Sequence, residues 1–178
     1  YSCDFFKPTT IKSTKHIFPE KVNEYYHFFD VVFMINSIEH LTSFRNDFKY
    51  IDLSLKDSSI LIIETPNFNS LDSFIFKKYW GGLHQPRHTY LWTEKSLLKH
   101  LSLWKYESNS LKTPQPAHWA ISVQNILSKN SQIFRKYIVN GRIPGYLLLV
   151  LLFLPVAVIQ NLFFKQSLLN IFLIRKKR

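Results

Sequence analysis

Polar residues with acid–base chemistry follow directly after two apolar runs of this chain. Asn36, Glu39 and His40 come after the run FDVVFMI at residues 29–35, and a second run, at residues 60–64, also ends in polar residues. Histidine titrates near neutral pH, so His40 is a candidate to accept a proton from a hydroxyl-bearing substrate. A carboxylate beside it offers hydrogen-bond acceptors or a ligand to a cation.

The elements that position these residues are predicted to form one βαβ unit. Continuous β-branched runs are typical of parallel strands buried on both faces, here residues 31–35 and 60–64. Residues 37–56 between them show helical spacing of apolar side chains and are long enough for a crossover helix, and residues 56–59 are predicted to form a polar turn. Ligands of such sheets bind beyond the carboxyl ends of the strands.

A long connection at residues 65–88 follows the second strand, and Thr93 is predicted to cap a helix after it. The connection has the composition of a lid over a substrate. Trp80 would supply an aromatic wall, and Arg87 and His88 would supply cationic or hydrogen-bonding groups. An alternative for Arg87 is an ion pair that fixes the loop.

The chain has four glycines, and none precedes the first predicted strand. A glycine-rich nucleotide turn in the first βα connection is therefore excluded within this sequence. The chain also begins with Tyr1, and we expect it to be the carboxyl-terminal part of a longer protein. Its single cysteine, Cys3, excludes a disulfide framework and a thiolate zinc site within the chain.

Charge is distributed unevenly along the chain. All 12 acidic residues and 13 of the 23 Lys and Arg residues lie before residue 108, whereas residues 108–178 contain ten bases and no acid. Such asymmetry indicates an anionic partner surface. Because the bases alternate with aliphatic rather than separated stacking aromatic residues, the pattern favours an anionic membrane over nucleic acid.

The basic half also contains residues 143–164, which are free of charge and interrupted by Pro155. The run is long enough to span a bilayer, but its unbroken apolar centre is shorter. We expect a helix or shallow hairpin that lies on the membrane surface. A true span and a helical pair packed on the sheet or on another subunit remain as alternatives. Residues 168–174 are predicted to form a final strand that pairs back into the sheet.

An ordered series of motifs resembles the class I S-adenosylmethionine-dependent methyltransferases, in the branch that acts on small molecules. The motifs are FDVV…EH at residues 29–40, ETPN at residues 64–67, Trp80, PRH at residues 86–88 and WT at residues 92–93. The resemblance covers about residues 30–101. It implies an α/β fold, namely the carboxyl-terminal part of a Rossmann-like methyltransferase sheet, with an apolar helical insertion before the last strand.

The resemblance also implies roles for individual residues. Asn36 and Glu39 would face the cofactor, S-adenosylmethionine, and Asp4 would hold its ribose hydroxyls; solvated Asp4 and a helix-capping Asn36 are the alternatives. His40 would be catalytic or contact the substrate, or else be a helix-start residue held by hydrogen bonds. The related quinone O-methyltransferases carry a second glutamate where this chain has Asn36, and there the acids and the histidine resemble a metal-binding set. An amide in place of that carboxylate weakens magnesium binding, so no metal is predicted.

The predicted function is methyl transfer to an unidentified small-molecule or lipid-like acceptor by the intact protein, in the cytoplasm at a membrane surface. The alternative is a non-catalytic membrane-surface module derived from a methyltransferase fold. Three segments are predicted: a partial methyltransferase domain at residues 1–113, a basic and apolar helical segment at residues 114–165, and the last strand and basic tail at residues 166–178.

Overall fold

A computed structural model of the chain describes residues 2–3, 16–17, 19–84, 86–137 and 142–176. Its centre is a mixed sheet of four strands in the order β3-β4-β6-β5, and a separate parallel pair joins β1 to β2. The strands are β1 (Ser2–Cys3), β2 (His16–Ile17), β3 (Phe29–Ile35), β4 (Leu55–Pro66), β5 (Tyr106–Leu111) and β6 (Leu168–Arg175). The helices are α1 (Phe44–Ser54), α2 (Leu71–Phe76), α3 (Glu94–Leu101), α4 (Pro116–Asn130), α5 (Gln132–Tyr137) and α6 (Tyr146–Phe163).

The predicted βαβ unit is present: β3 pairs in parallel with β4, and α1 lies in the connection between them. The prediction of one continuous helix over residues 37–56 was wrong. A single 3-10 turn, Ile38–His40, comes first, and α1 begins at Phe44. The break has a local cause, because the Asp47 carboxylate accepts hydrogen bonds from the backbone N–H of Thr42 and of Ser43.

The second strand is longer than predicted, since β4 begins at Leu55 and includes the predicted polar turn. Residues 56–59, predicted as a turn before the strand, instead interrupt the pairing of β4 with β3. Phe29 pairs with Leu55, but Val31 pairs with Ile60, so four residues of β4 bulge out opposite one of β3. Ser58 has a φ of 60°, in the left-handed region that an irregularity of this kind requires.

The last strand pairs back into the sheet as predicted. β6 lies between β4 and β5 and is antiparallel to both. The sequence analysis missed β5, whose polar sequence YESNSL has no apolar alternation and whose side chains are mostly exposed. β5 is an edge strand, and it forms through backbone hydrogen bonds to β6 rather than through burial of its side chains.

One face of the sheet carries the core. Phe44 and Phe48 of α1 stack with their rings 5.3 Å apart, and Phe48 meets Trp104 edge-on at 4.7 Å. The expectation that β3 is buried on both faces was wrong, because Phe33 on the opposite face is 65% exposed. The helices α1 and α3 contribute to this one core, which is formed by Met34, Ile38, Phe44, Phe48, Leu55, Leu61, Ile63, Trp92, Leu97, Leu101, Leu169, Ile171 and Leu173.

The basic half of the chain folds back onto the α/β part through a buried polar cluster around Asp72 of α2. Asp72 accepts hydrogen bonds from Trp80 Nε1 at 2.7 Å, from Gln160 Nε2 at 2.9 Å and from Ser167 Oγ at 3.0 Å. Gln160 also accepts a bond from Trp119 Nε1 of α4. We call Asp72, Trp80, Gln160 and Ser167 the Asp72 cluster, and it joins α2 to α6 and to the start of β6.

Helix α6 packs against α4 along one narrow side and exposes the rest. Trp119 stacks on Phe153, and Ala157 and Gln160 are buried. Within the described residues α6 is the one helix long and apolar enough to cross a membrane, and 11% of it is buried. Its exposed apolar side chains include Leu147, Leu148, Leu151, Leu152, Leu162 and Phe163.

Candidate functional site

The carboxyl end of β3 turns sharply and places a carboxylate in the protein interior. The turn Ile38–His40 buries Glu39, which is 1% exposed, while the His40 side chain beside it is exposed. Glu39 Oε2 accepts a hydrogen bond of 2.8 Å from Thr65 Oγ1 at the end of β4. Glu39 Oε1 is buried without a hydrogen-bond partner among the described residues, which is unusual for a carboxylate oxygen.

Two histidines complete the cluster. His40 Nδ1 lies 2.8 Å from the carbonyl oxygen of Arg87, and His88 Nδ1 lies 2.9 Å from the carbonyl oxygen of Gly82. The two rings meet edge-on with centroids 4.8 Å apart, and His88 Nε2 is 3.9 Å from Glu39 Oε1. The structure therefore brings together Glu39, His40 and His88, which the sequence analysis assigned to three separate roles.

Backbone hydrogen bonds hold the loop that carries His88 against the turn that carries Glu39. The Glu39 carbonyl accepts from the N–H groups of Thr89 and Tyr90 at 2.9 and 3.1 Å and from Thr89 Oγ1 at 2.8 Å. Arg87 contributes its carbonyl to His40, and its own side chain is exposed. The predicted contact between Arg87 and an acceptor stays a prediction.

Burial dominates the electrostatics of the cluster. It raises the pKa of Glu39, an effect that hydrogen bonds to the carboxylate partly oppose, and it lowers the pKa of His88 to about 4. Burial also lowers the pKa of His84, whose ring contacts that of His88, and the charge of Arg87 adds to that effect. His88 is therefore neutral near pH 7, and its approach to Glu39 is a contact with a neutral ring.

The three residues predicted to bind the cofactor lie in different surroundings. Asn36 is exposed at the end of β3, where the resemblance places the cofactor, and its φ of 46° explains an asparagine there without any capping role. The cap position of the following turn is Ser37, which makes no side-chain capping bond. Glu39 points into the interior, and Asp4 lies outside the described residues, so its predicted role stays a prediction.

Trp80 has a structural partner. It is 1% exposed, and its indole N–H donates to Asp72, so in this structure it offers no surface to an acceptor. Asp72 lies eight residues before Trp80, and local sequence patterns do not reveal that its carboxylate reaches the indole.

Two residues that build the site were not predicted from the sequence. Thr65 orients Glu39, and Thr89 joins the loop to the turn. Thr65 belongs to the quoted ETPN motif, which was the available signal, whereas nothing local marks Thr89. The sequence analysis also predicted no metal, yet Glu39, His40 and His88 offer one ligand atom each, all within 4.8 Å of one another.

Comparisons with known proteins identify the fold. No protein-family model and no curated protein gives a significant match to the sequence. Among solved structures, the YcgJ protein from Bacillus subtilis matches with a TM-score of 0.53 at 11% identity, covering 92% of this chain and 71% of that one. A SAM-dependent methyltransferase from Archaeoglobus fulgidus matches with a TM-score of 0.51 at 15% identity, covering 93% and 69%. The chain therefore has the Rossmann-like α/β fold of the class I S-adenosylmethionine-dependent methyltransferases, as its motifs predicted.

Proposed function

We propose that this chain binds S-adenosylmethionine and takes part in transfer of its methyl group to a small-molecule or lipid-like acceptor. The observation that carries the proposal is the grouping of Glu39, His40 and His88 beyond the carboxyl ends of the parallel strands β3 and β4 in a methyltransferase fold. In open α/β sheets this edge is where ligands bind.

The chain's own residues would contribute positioning and proton removal. S-adenosylmethionine supplies an electrophilic methyl group on its sulfonium, and we infer that Asn36, exposed at the end of β3, contacts that cofactor. His40 is exposed, and because its Nδ1–H donates to the Arg87 carbonyl, its Nε2 is left to accept a proton from an acceptor. Alignment of acceptor and methyl group would account for most of the acceleration.

Cofactor binding is the first test, because it needs no acceptor. Isothermal titration of the full chain with S-adenosylhomocysteine should show binding, and Asn36→Gly should weaken it about tenfold, which corresponds to the loss of one hydrogen bond of roughly 1.4 kcal/mol. Glycine suits the positive φ of Asn36, so the backbone keeps its conformation.

Ser58→Gly is the matched control, since Ser58 also has a positive φ but lies in the bulge of β4. It should leave binding unchanged. If the full chain binds no S-adenosylhomocysteine, the cofactor proposal is wrong for this chain, and the non-catalytic membrane module becomes the better account.

We also propose that α6 lies on an anionic membrane surface and so gives the site access to a lipid-like acceptor. The exposed side of α6 is apolar and consists mainly of leucines, with Phe163 at its end, and residues 108–178 carry bases without acids. Apolar burial and cationic attraction together are what an interfacial helix uses.

Both ends of α6 are joined to the same folded body, which favours a surface position over a span. Ahead of the helix, the Ile143 N–H donates to Gln124 of α4; at its end, Gln160 bonds Asp72, and the Lys165 carbonyl accepts from Leu71. A spanning helix of 18 residues, roughly 27 Å long, would place its two ends on opposite sides of the bilayer.

Co-sedimentation with vesicles of phosphatidylglycerol and phosphatidylcholine tests this part. Binding should weaken with salt but persist, and Leu148→Glu should reduce it at least tenfold, because burial of one leucine is worth about 1.5–3 kcal/mol. Leu103→Glu, at an equally exposed leucine outside α6, is the control. Complete release by salt alone, or equal losses in both variants, would contradict the surface position, and resistance to alkaline carbonate extraction would indicate a span.

A further inference from the structure

We propose that Glu39, His40 and His88 form a binding site for a divalent transition-metal ion, of which zinc is the best match. Each side chain offers one ligand atom, and these atoms all lie within 4.8 Å of one another. Glu39 and His40 come from the turn after β3, and His88 comes from the loop after α2, so the fold brings the ligands together from distant parts of the chain.

The hydrogen bonds of the two histidines are those of metal ligands. In each ring Nδ1 faces a backbone carbonyl, of Arg87 for His40 and of Gly82 for His88. A carbonyl only accepts, so Nδ1 must carry the hydrogen in both rings, and each Nε2 keeps a free lone pair. Such outer hydrogen bonds fix the tautomer and orientation of histidine ligands in metal sites.

The carboxylate has the complementary arrangement. One oxygen of Glu39 is held by Thr65, and the other, Oε1, is buried with no hydrogen-bond partner in the described part of the chain. A buried carboxylate oxygen without a partner is costly. A bound cation would satisfy it, and the His88 Nε2 atom already lies 3.9 Å away.

The donor set selects the kind of ion. Two imidazole nitrogens and one carboxylate oxygen match zinc, whereas magnesium prefers an all-oxygen octahedral shell. Tetrahedral ligands about 2.1 Å from zinc lie roughly 3.4 Å apart, so shifts of about 1 Å would close the set. His40 is exposed and its ring can make such a shift.

Three protein ligands leave a fourth position of a tetrahedral zinc ion open, which is the arrangement of zinc sites that bind a water or substrate. A hydroxyl group held there would lose its proton more readily, and His40 would then be a ligand rather than a base. This consequence for catalysis rests on the proposed function, whereas binding of the ion does not.

Metal binding by the tag-free, dialysed full chain tests the proposal without cofactor or acceptor. Titration with Zn²⁺ should give one ion per chain, Co²⁺ should give the intense visible absorption of a tetrahedral site, and Mg²⁺ should give no heat of binding. Because none of these measurements uses S-adenosylmethionine, failure of the metal site and failure of methyl transfer are distinguishable.

Two variants locate the site. His40→Ala and Glu39→Gln should each weaken Zn²⁺ binding about 100-fold or more, because each removes a ligand. His100→Ala is the control: His100 is also exposed, and its Nδ1 also lies 2.8 Å from a backbone carbonyl, that of Ser96. Circular dichroism reports whether each variant is folded. If Glu39→Gln does not fold, His40→Ala alone tests the site. Wild-type affinity in His40→Ala, or no Zn²⁺ binding by the wild type, would overturn the proposal.

Discussion

Two buried carboxylates of this chain, Asp72 and Glu39, have opposite surroundings. Both oxygens of Asp72 are occupied, one by Trp80 and the other by Gln160 and Ser167. Glu39 has one occupied oxygen and one without a partner in the described residues. A histidine approaches each of them, His118 at 3.8 Å and His88 at 3.9 Å.

The difference separates a structural cluster from a candidate functional one. In the Asp72 cluster the protein itself satisfies the carboxylate, and the bonds connect α2, α6 and β6. At Glu39 the protein orients two histidines and leaves an oxygen unsatisfied beside an exposed ring. Buried polar groups that remain unsatisfied require an explanation, and a bound ligand is one.

The largest expected effect is on stability at Asp72. Asp72→Ala would leave the buried Trp80 indole N–H and one of the two Gln160 Nε2 hydrogens without an acceptor, since the other is donated to the Lys165 carbonyl. This should cost about 3–5 kcal/mol of unfolding free energy. Chemical denaturation measures this cost. Asp57→Ala, at an exposed aspartate in the bulge of β4, should change stability by less than about 0.5 kcal/mol. Similar values for the two variants would contradict the structural role of the Asp72 cluster.

A smaller effect concerns pH. Burial lowers the pKa of His118 below its ordinary value, and the Asp72 charge partly opposes that shift. The unfolded chain therefore binds a proton near pH 6.5 that the folded chain binds only at lower pH, so stability falls as pH decreases from 6.5. His118→Gln should reduce the slope of stability between pH 7 and 5; an unchanged slope would contradict the assignment.

The smallest stability effect is expected at Glu39. Since burial raises its pKa, ionised Glu39 lowers the stability of the folded state progressively as pH rises above 4.5. Glu39→Gln removes that charge and keeps an acceptor for Thr65, so unfolding free energy at pH 7 should stay equal or rise by up to about 1 kcal/mol. A loss of several kcal/mol in denaturation experiments would show that Glu39 is structural, like Asp72.

Much of the fold could be predicted from local patterns. The apolar runs predicted β3 and β4, and Thr93 does cap α3, with Ser96 completing a reciprocal capping box. The parallel pairing and the return of the last strand were also correct. Strand β5 could not be predicted from the sequence, because an edge strand held by backbone pairing does not require apolar or alternating side chains.

Individual residues of the site could be predicted from the sequence, but not which of them lie together. The polar residues after β3 predicted a functional site. His88, however, lies 49 residues after Glu39 and approaches it because the loop after α2 folds back onto the turn after β3. The same limit applies to Trp80, whose hydrogen bond to Asp72 of α2 is not evident from the sequence. Contacts across such distances depend on tertiary packing, which local periodicity does not contain.

The most direct test of the comparison is the effect of zinc on thermal unfolding of the wild type, Asp72→Asn and Glu39→Gln under one set of conditions. At 100 times the dissociation constant, a bound ion should stabilise the wild type by about 2.7 kcal/mol. We expect Asp72→Asn to melt at a lower temperature but to gain as much from zinc. Glu39→Gln should melt like the wild type and gain less than about 0.5 kcal/mol, because its affinity for zinc is at least about 100-fold weaker. An equal gain from zinc in Glu39→Gln would contradict the account.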